Sequence, residues 1–174
     1  ADGDSKMGDP IYGIDKLKQA AAIDLVNPDI YIYMGISYQK LGGENGGEAV
    51  KAYTEAISRD PKSALAMFRI GIIYKSQNNE ELFNQYFDNA KTADPAFPPV
   101  YYALYLYYSE KDVTRAKGYL DQYVQTADKD SRNELYQADY LFRAGKYDES
   151  LAKAKELDAA VGLKAVPRLG VVYA

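Results

Sequence analysis

The chain has 174 residues, 47% of them hydrophobic and 26% charged, which suffices to bury a core and is too apolar for a disordered polymer. Its net charge of −4 and pI near 4.9 argue against nucleic-acid binding and polybasic membrane docking, both of which need a basic surface. Cysteine and histidine are absent, which excludes disulfides, thiolate nucleophiles, Ser-His-Asp or Cys-His catalysis, and metal sites built on those side chains.

Residues 1–10 read as an extended or disordered tail. Ala1-Asp2-Gly3-Asp4-Ser5 lacks the basic and apolar regions of a signal peptide, although a leader removed from a mature form stays open because the sequence starts without Met. Residues 11–26 read as a helix that stops at Asn27-Pro28. Tyr31-Met34-Tyr38-Leu41 then follow the spacing of one helical face, as do Ala49-Tyr53-Ala56 beyond a Gly-rich turn at 42–47. Asp60-Pro61 ends that helix and starts the next, because proline cannot continue a helix yet suits its first turn. Met67-Ile70-Tyr74 and Phe83-Phe87-Ala90 form the next pair around a turn at Gln77-Asn78-Asn79, followed by Asp94-Pro95. Residues 98–130 carry Tyr101, Tyr102, Tyr105, Tyr107 and Tyr108 on their first helix, among 18 tyrosines in a chain without Trp. A single hairpin cannot bury two faces of such a helix, so some of these rings are expected at the surface.

Asp128-Lys129-Asp130-Ser131-Arg132-Asn133 begins like a calcium loop, but Arg132 takes a ligand place and Asn133 stands where Gly is obligatory. A connector with Ser131 and Glu134 as a capping box is the expectation. Residues 131–162 repeat the hairpin around Ala144-Gly145-Lys146. Residues 163–174 read as a lone first helix, with Leu169, Gly170 and Tyr173 matching Ile70, Gly71 and Tyr74. Unpaired helices at both ends suggest a fragment of a longer protein.

The marks recur. The prolines at 28, 61 and 95 are 33 and 34 residues apart, Gly35 and Gly71 are 36 apart, and Tyr38, Tyr74 and Tyr108 are 36 and 34 apart. A close crossing of two helices needs a small side chain at the contact and a large one beside it to fill the space. Gly35, Gly71, Ala49, Ala56 and Ala90 provide the first kind, and Tyr38, Tyr74, Tyr108, Tyr53 and Phe87 the second.

These residues resemble the tetratricopeptide repeat, a unit of about 34 residues that folds as helix A, turn, helix B. The resemblance implies an all-α, right-handed α-solenoid of antiparallel hairpins with about ten helices and no sheet. It divides residues 11–174 into repeats at about 28–63, 64–97, 98–130 and 131–162, with half repeats at 11–27 and 163–174. The pattern loosens in the third repeat, where Tyr105 occupies the place of Gly.

The resemblance implies a non-catalytic scaffold without cofactors or metals that holds a protein or peptide partner on the concave face of the A helices. Tyr33, Ile36, Lys40, Phe68, Arg69, Ile72, Tyr102, Tyr105, Leu106 and Arg143 are the expected contacts. Family members that clamp a terminal carboxylate use Lys, Asn and Arg at positions that here hold Ile32, Ile36, Phe68 and Ile72, so an apolar groove is the expected mode. Packing among neighbouring A helices competes with it for the same side chains. A recognition or regulatory domain attached to a catalytic or envelope module is the alternative role. Self-association through the unpaired ends is possible, and the Tyr-rich style resembles periplasmic or envelope-associated bacterial proteins. No nucleic acid and no membrane span are expected.

Overall fold

The computed structural model of the chain describes residues 8–128 and 131–161. Among them are nine α-helices, one short 3-10 turn and no strand. The expected helix at 163–174 and residues 1–7 of the tail lie outside the described residues. The chain divides into two compact units, one ending at Pro95 and the other beginning at Ala96.

The first unit contains α1 (Pro10–Ile23), α2 (Pro28–Leu41), α3 (Gly46–Arg59), α4 (Ala64–Ser76) and α5 (Glu80–Ala93). Helices α2 and α3 form one antiparallel hairpin, α4 and α5 the next, and α1 packs on α2 as a lone B helix. Side-chain caps fix the starts: Asp9, Asn27, Ser63 and Asn79 each accept a backbone N–H of the first turn. The α2–α3 turn uses Gly42 and Gly43 at φ of +67° and +55°, a left-handed conformation that costs glycine nothing. Asn78 takes the same role at φ +56° between α4 and α5.

The second unit contains α6 (Pro98–Tyr108), α7 (Val113–Thr126), α8 (Ser131–Arg143) and α9 (Tyr147–Val161), again as two hairpins. Asp112 caps α7. Asn133 donates to the Asp128 carbonyl at 3.0 Å, tying the connector to the start of α8.

The repeat frame differs from the proline count in one place. Asp24, Asp60 and Asp94 each cap the end of a B helix and open a four-residue connector, so these three positions are equivalent. Asn27-Pro28 is instead the N-cap and first residue of α2, and Leu25 occupies the place of Pro61 and Pro95. The first step is therefore 36 residues, as Gly35–Gly71 indicates, because both α2 and the Gly-rich turn after it are one residue longer than α4 and its turn.

The core is built on paired positions. The eighth residues of the A helices are Gly35, Gly71, Tyr105 and Ala138, and those of the B helices are Tyr53, Phe87, Leu120 and Ala154. All eight are buried. A Cβ placed on Gly35 would lie 2.5 Å from the Tyr53 ring, and one on Gly71 would lie 2.5 Å from the Phe87 ring. The glycines are thus required by the rings that lie against them. In the α6–α7 hairpin the size relation reverses, with Tyr105 the large residue on the A helix and Leu120 the smaller one on the B helix, and in the α8–α9 hairpin both positions hold alanine. Ala49, Phe83, Ala116 and Ser150 are also buried at the fourth position of each B helix, and Ser150 donates to the Ala138 carbonyl at 2.8 Å.

Candidate partner-binding faces

The expected contact residues fall on the A helices of two separate units. In the first unit they lie on α2 and α4. Tyr33 is 59% exposed and Lys40 is exposed near the end of α2, while Ile36 is half-buried against the cluster of Ile32, Tyr53 and Ile70. On α4, Phe68, Arg69 and Ile72 are all half-buried. The Phe68 ring stacks on Phe87 at 5.3 Å between centroids, so part of its surface already serves the hairpin. Ile32, which belongs to the same face by count, is buried.

A polar group lies under this face. The Tyr53 hydroxyl donates to Gln39 Oε1 at 2.5 Å. Burial pushes that hydroxyl from 10 up to about 12, with the positive charge of Arg69 acting in the opposite direction. The Nε of Arg69 is itself buried and has no hydrogen-bond partner. Sequence reasoning singled out Arg69 but not the Gln39–Tyr53 pair, because Tyr53 reads only as a packing ring.

In the second unit the expectation needs correcting. Tyr105 was expected to face a partner, but it is fully buried. Its hydroxyl donates to Asp139 Oδ2 at 2.7 Å and approaches the Tyr136 carbonyl at 3.3 Å. Burial first, and the bond to Asp139 second, hold this phenol far above the usual tyrosine range. Arg143 also works within the unit: its Nε donates to Asp139 Oδ2 at 2.9 Å and it reaches Glu110 at 3.4 Å. Hydrogen bonding to Asp139 raises the Arg143 pKa further.

Tyr102 is half-buried in a cluster of rings, 5.3 Å from Tyr123 and 4.7 Å from Tyr136. Tyr101 and Tyr108 are buried and Tyr107 is half-buried, so none of the five rings of α6 is freely exposed. The expectation of surplus rings at the surface fails because rings from both α7 and α8 pack against those of α6. Leu106 remains exposed at 42%.

Other apolar surface lies outside the expected contact positions, on and after α1. Ile11 and Tyr12 on α1, and Ile23, Leu25 and Val26 at its end, are exposed. A shallow groove of about 290 Å³ runs between α1 and α2, lined by Ile11, Ile14, Asp15, Lys18, Tyr38 and Leu41. No helix among the described residues is long and apolar enough to cross a membrane, and no cluster of three acidic side chains there has metal-binding geometry.

Neither a family model nor a curated protein matches the sequence. Solved structures do match. PilW, a widely conserved type IV pilus biogenesis factor, superposes with a TM-score of 0.70 at 19% identity, covering 92% of this chain and 73% of that one. A tetratricopeptide repeat protein from Parabacteroides merdae gives 0.69 at 21% identity, covering 97% and 65%. YrrB, a tetratricopeptide protein with an unusual peptide-binding site, gives 0.63 at 19% identity, covering 90% and 81%. With small residues seated against rings at matched positions of successive hairpins, these similarities establish that the chain has the all-α, tetratricopeptide-type solenoid fold.

Proposed function

We propose that the chain is a non-catalytic protein-interaction scaffold that holds a peptide, a helix or a folded partner on its A-helix faces. We take residues 11–174 as one run of repeats serving that role. The observation that carries the reading is the A face of the first unit. There the exposed Tyr33 ring lies on α2 with half-buried Ile36, while Phe68, Arg69 and Ile72 lie half-buried on α4. Aromatic and arginine side chains with aliphatic neighbours are the usual energetic centres of protein interfaces. The peptide-binding site named for YrrB supports the same use of this fold. In the second unit Leu106 and the outer edge of Tyr102 remain as contacts, whereas Tyr105 is core and Arg143 is engaged with Asp139 and Glu110.

The similarity to a pilus biogenesis factor supports a second, compatible reading. The scaffold would then be a recognition module of an envelope-associated assembly.

Site-specific photo-crosslinking tests the proposal. A benzophenone side chain at Tyr33 or Ile72 should trap one defined partner in extracts of the source cell, and the same group at Thr54 or Glu81, exposed on B helices, should not. Equal trapping from both pairs of positions would reject the A face as the binding surface.

A further inference from the structure

The charge pattern of the first unit's A face specifies its partner more closely, an inference that rests on the function proposed above. Helix α4 contains no acidic residue, and α2 contains only Asp29, at its N-terminal end. Against a chain charge of −4, these two helices carry Lys40, Arg69 and Lys75. The arginines Arg59, Arg115 and Arg143 each have side-chain partners: Glu55 and Tyr31, Tyr119, and Asp139 with Glu110. Arg69 makes no hydrogen bond and no ion pair among the described residues, and its Nε is out of water.

The Nε is enclosed by the protein and out of a ligand's reach, so a carboxylate pairs with the terminal nitrogens of the Arg69 guanidinium, where it forms a charge-assisted bond. Ile72, three residues on, shares the helix face of Arg69, and Ile36 lies half-buried on the neighbouring A helix, whereas Phe68 is turned toward Phe87. A chain that brings a carboxylate to Arg69 therefore also meets aliphatic surface.

We infer that the A face of α2 and α4 binds a peptide segment in which an Asp or Glu side chain, flanked by aliphatic or aromatic residues, pairs with Arg69. The anchor is a single side-chain carboxylate within an apolar segment.

Random peptides of about 12 residues, displayed on phage, serve as the probe and are panned against the whole chain. Selected sequences are then made as acetylated, amidated peptides, so that side chains supply the only carboxylates. Affinities are read by fluorescence anisotropy on the wild type, Arg69→Gln and Ile72→Asp. Circular dichroism melts confirm that each variant is folded, and Arg69→Gln should melt no lower than the wild type.

The expected outcome is selection of acidic residues within apolar stretches, and a loss of about tenfold or more for Arg69→Gln. Changing the peptide acid to its amide should weaken binding to the wild type but not weaken binding to Arg69→Gln further. An equal effect of that amide on both proteins, or selected peptides without acids, overturns the inference while leaving the scaffold reading intact if Ile72→Asp still abolishes binding. No selected peptide at all overturns the inference alone, since a folded partner stays open to the crosslinking test, and indifference to Ile72→Asp together with equal crosslinking from both helix faces overturns both.

Discussion

The hydroxyl of Tyr105 lies 2.7 Å from the Asp139 carboxylate, joining α6 to α8 at the helix position where α2 and α4 carry glycine. The same carboxylate oxygen accepts from Arg143 at 2.9 Å. Asp139 therefore keeps one donor if the phenol is lost. Tyr105→Phe is expected to cost about 1 kcal/mol, the net worth of one hydrogen bond. Tyr105→Gly, which restores the residue found in α2 and α4, is expected to cost about 3–5 kcal/mol, because Leu120 cannot fill the space of a ring. Urea unfolding followed by circular dichroism measures both. Near-equal values would show that the phenol ring does not fill the hairpin core.

Glycine-to-alanine exchanges separate packing from helix propensity. In an exposed helix such a change stabilises by about 0.5–1 kcal/mol. That is the expectation for Gly118→Ala on α7, where a new methyl group meets nothing. Gly35→Ala and Gly71→Ala place the methyl group 2.5 Å from a ring and should destabilise by about 1–3 kcal/mol despite the better propensity. Trimming the opposing ring in a Gly35→Ala/Tyr53→Leu double variant should recover part of the loss. Thermal melts of the four proteins decide the matter, and a neutral Gly35→Ala would refute the close crossing.

Two buried phenols make the fold sensitive to alkali. Both Tyr53, at about 12, and Tyr105, higher still, are held above the value of 10 for a free tyrosine. The protonated form is the one the folded state favours. This stability is fully present below about pH 10 and is lost as pH rises through the folded-state values. For Tyr53 the full loss corresponds to about 3 kcal/mol. Urea midpoints between about pH 8 and 11.5 should fall steeply in the wild type, and less steeply in Tyr53→Phe and Tyr105→Phe. Parallel curves for all three proteins would rule the phenols out as the cause.

Arg59 anchors the connector before α2. Its Nε donates to the Leu25 carbonyl at 2.8 Å, its terminal nitrogens reach Tyr31 and Glu55, and its guanidinium lies 3.8 Å from the Tyr31 ring centre. Arg59→Ala is expected to cost about 1–2 kcal/mol. It should also speed hydrogen exchange at the amides of Val26 and Asn27, which bond to Asp24. Unchanged exchange at those two amides would mean that the connector holds without Arg59.

The hairpins were legible wherever one side of a packing pair was small. Gly35 with Tyr53 and Gly71 with Phe87 stand out because a buried glycine inside a helix has few other uses. Tyr105 was harder to place: Leu120, at the equivalent position of α7, is an ordinary residue, and Asp139 reads as a surface acid until α8 is placed beside α6. The proline count drifted for a related reason. Pro28 begins a helix while Pro61 and Pro95 sit in connectors, and both positions tolerate the missing N–H. At the candidate site, Tyr33 was named through the family resemblance, but the orphaned Nε of Arg69 could not be read in advance, because it depends on which neighbours cover the guanidinium.

The alternation of bulk at the eighth positions also discriminates between correct and incorrect hairpins while the chain is folding. If α3 docked on α6, the Tyr53 and Tyr105 rings would claim one volume, and α7 docked on α4 would set Leu120 against Gly71, where the Phe87 ring is needed to fill the space. Look-alike segments are the main source of misassembly in repetitive chains. Unequal side-chain volumes give the two kinds of hairpin different mating surfaces, so the polypeptide can reuse one motif without losing its order.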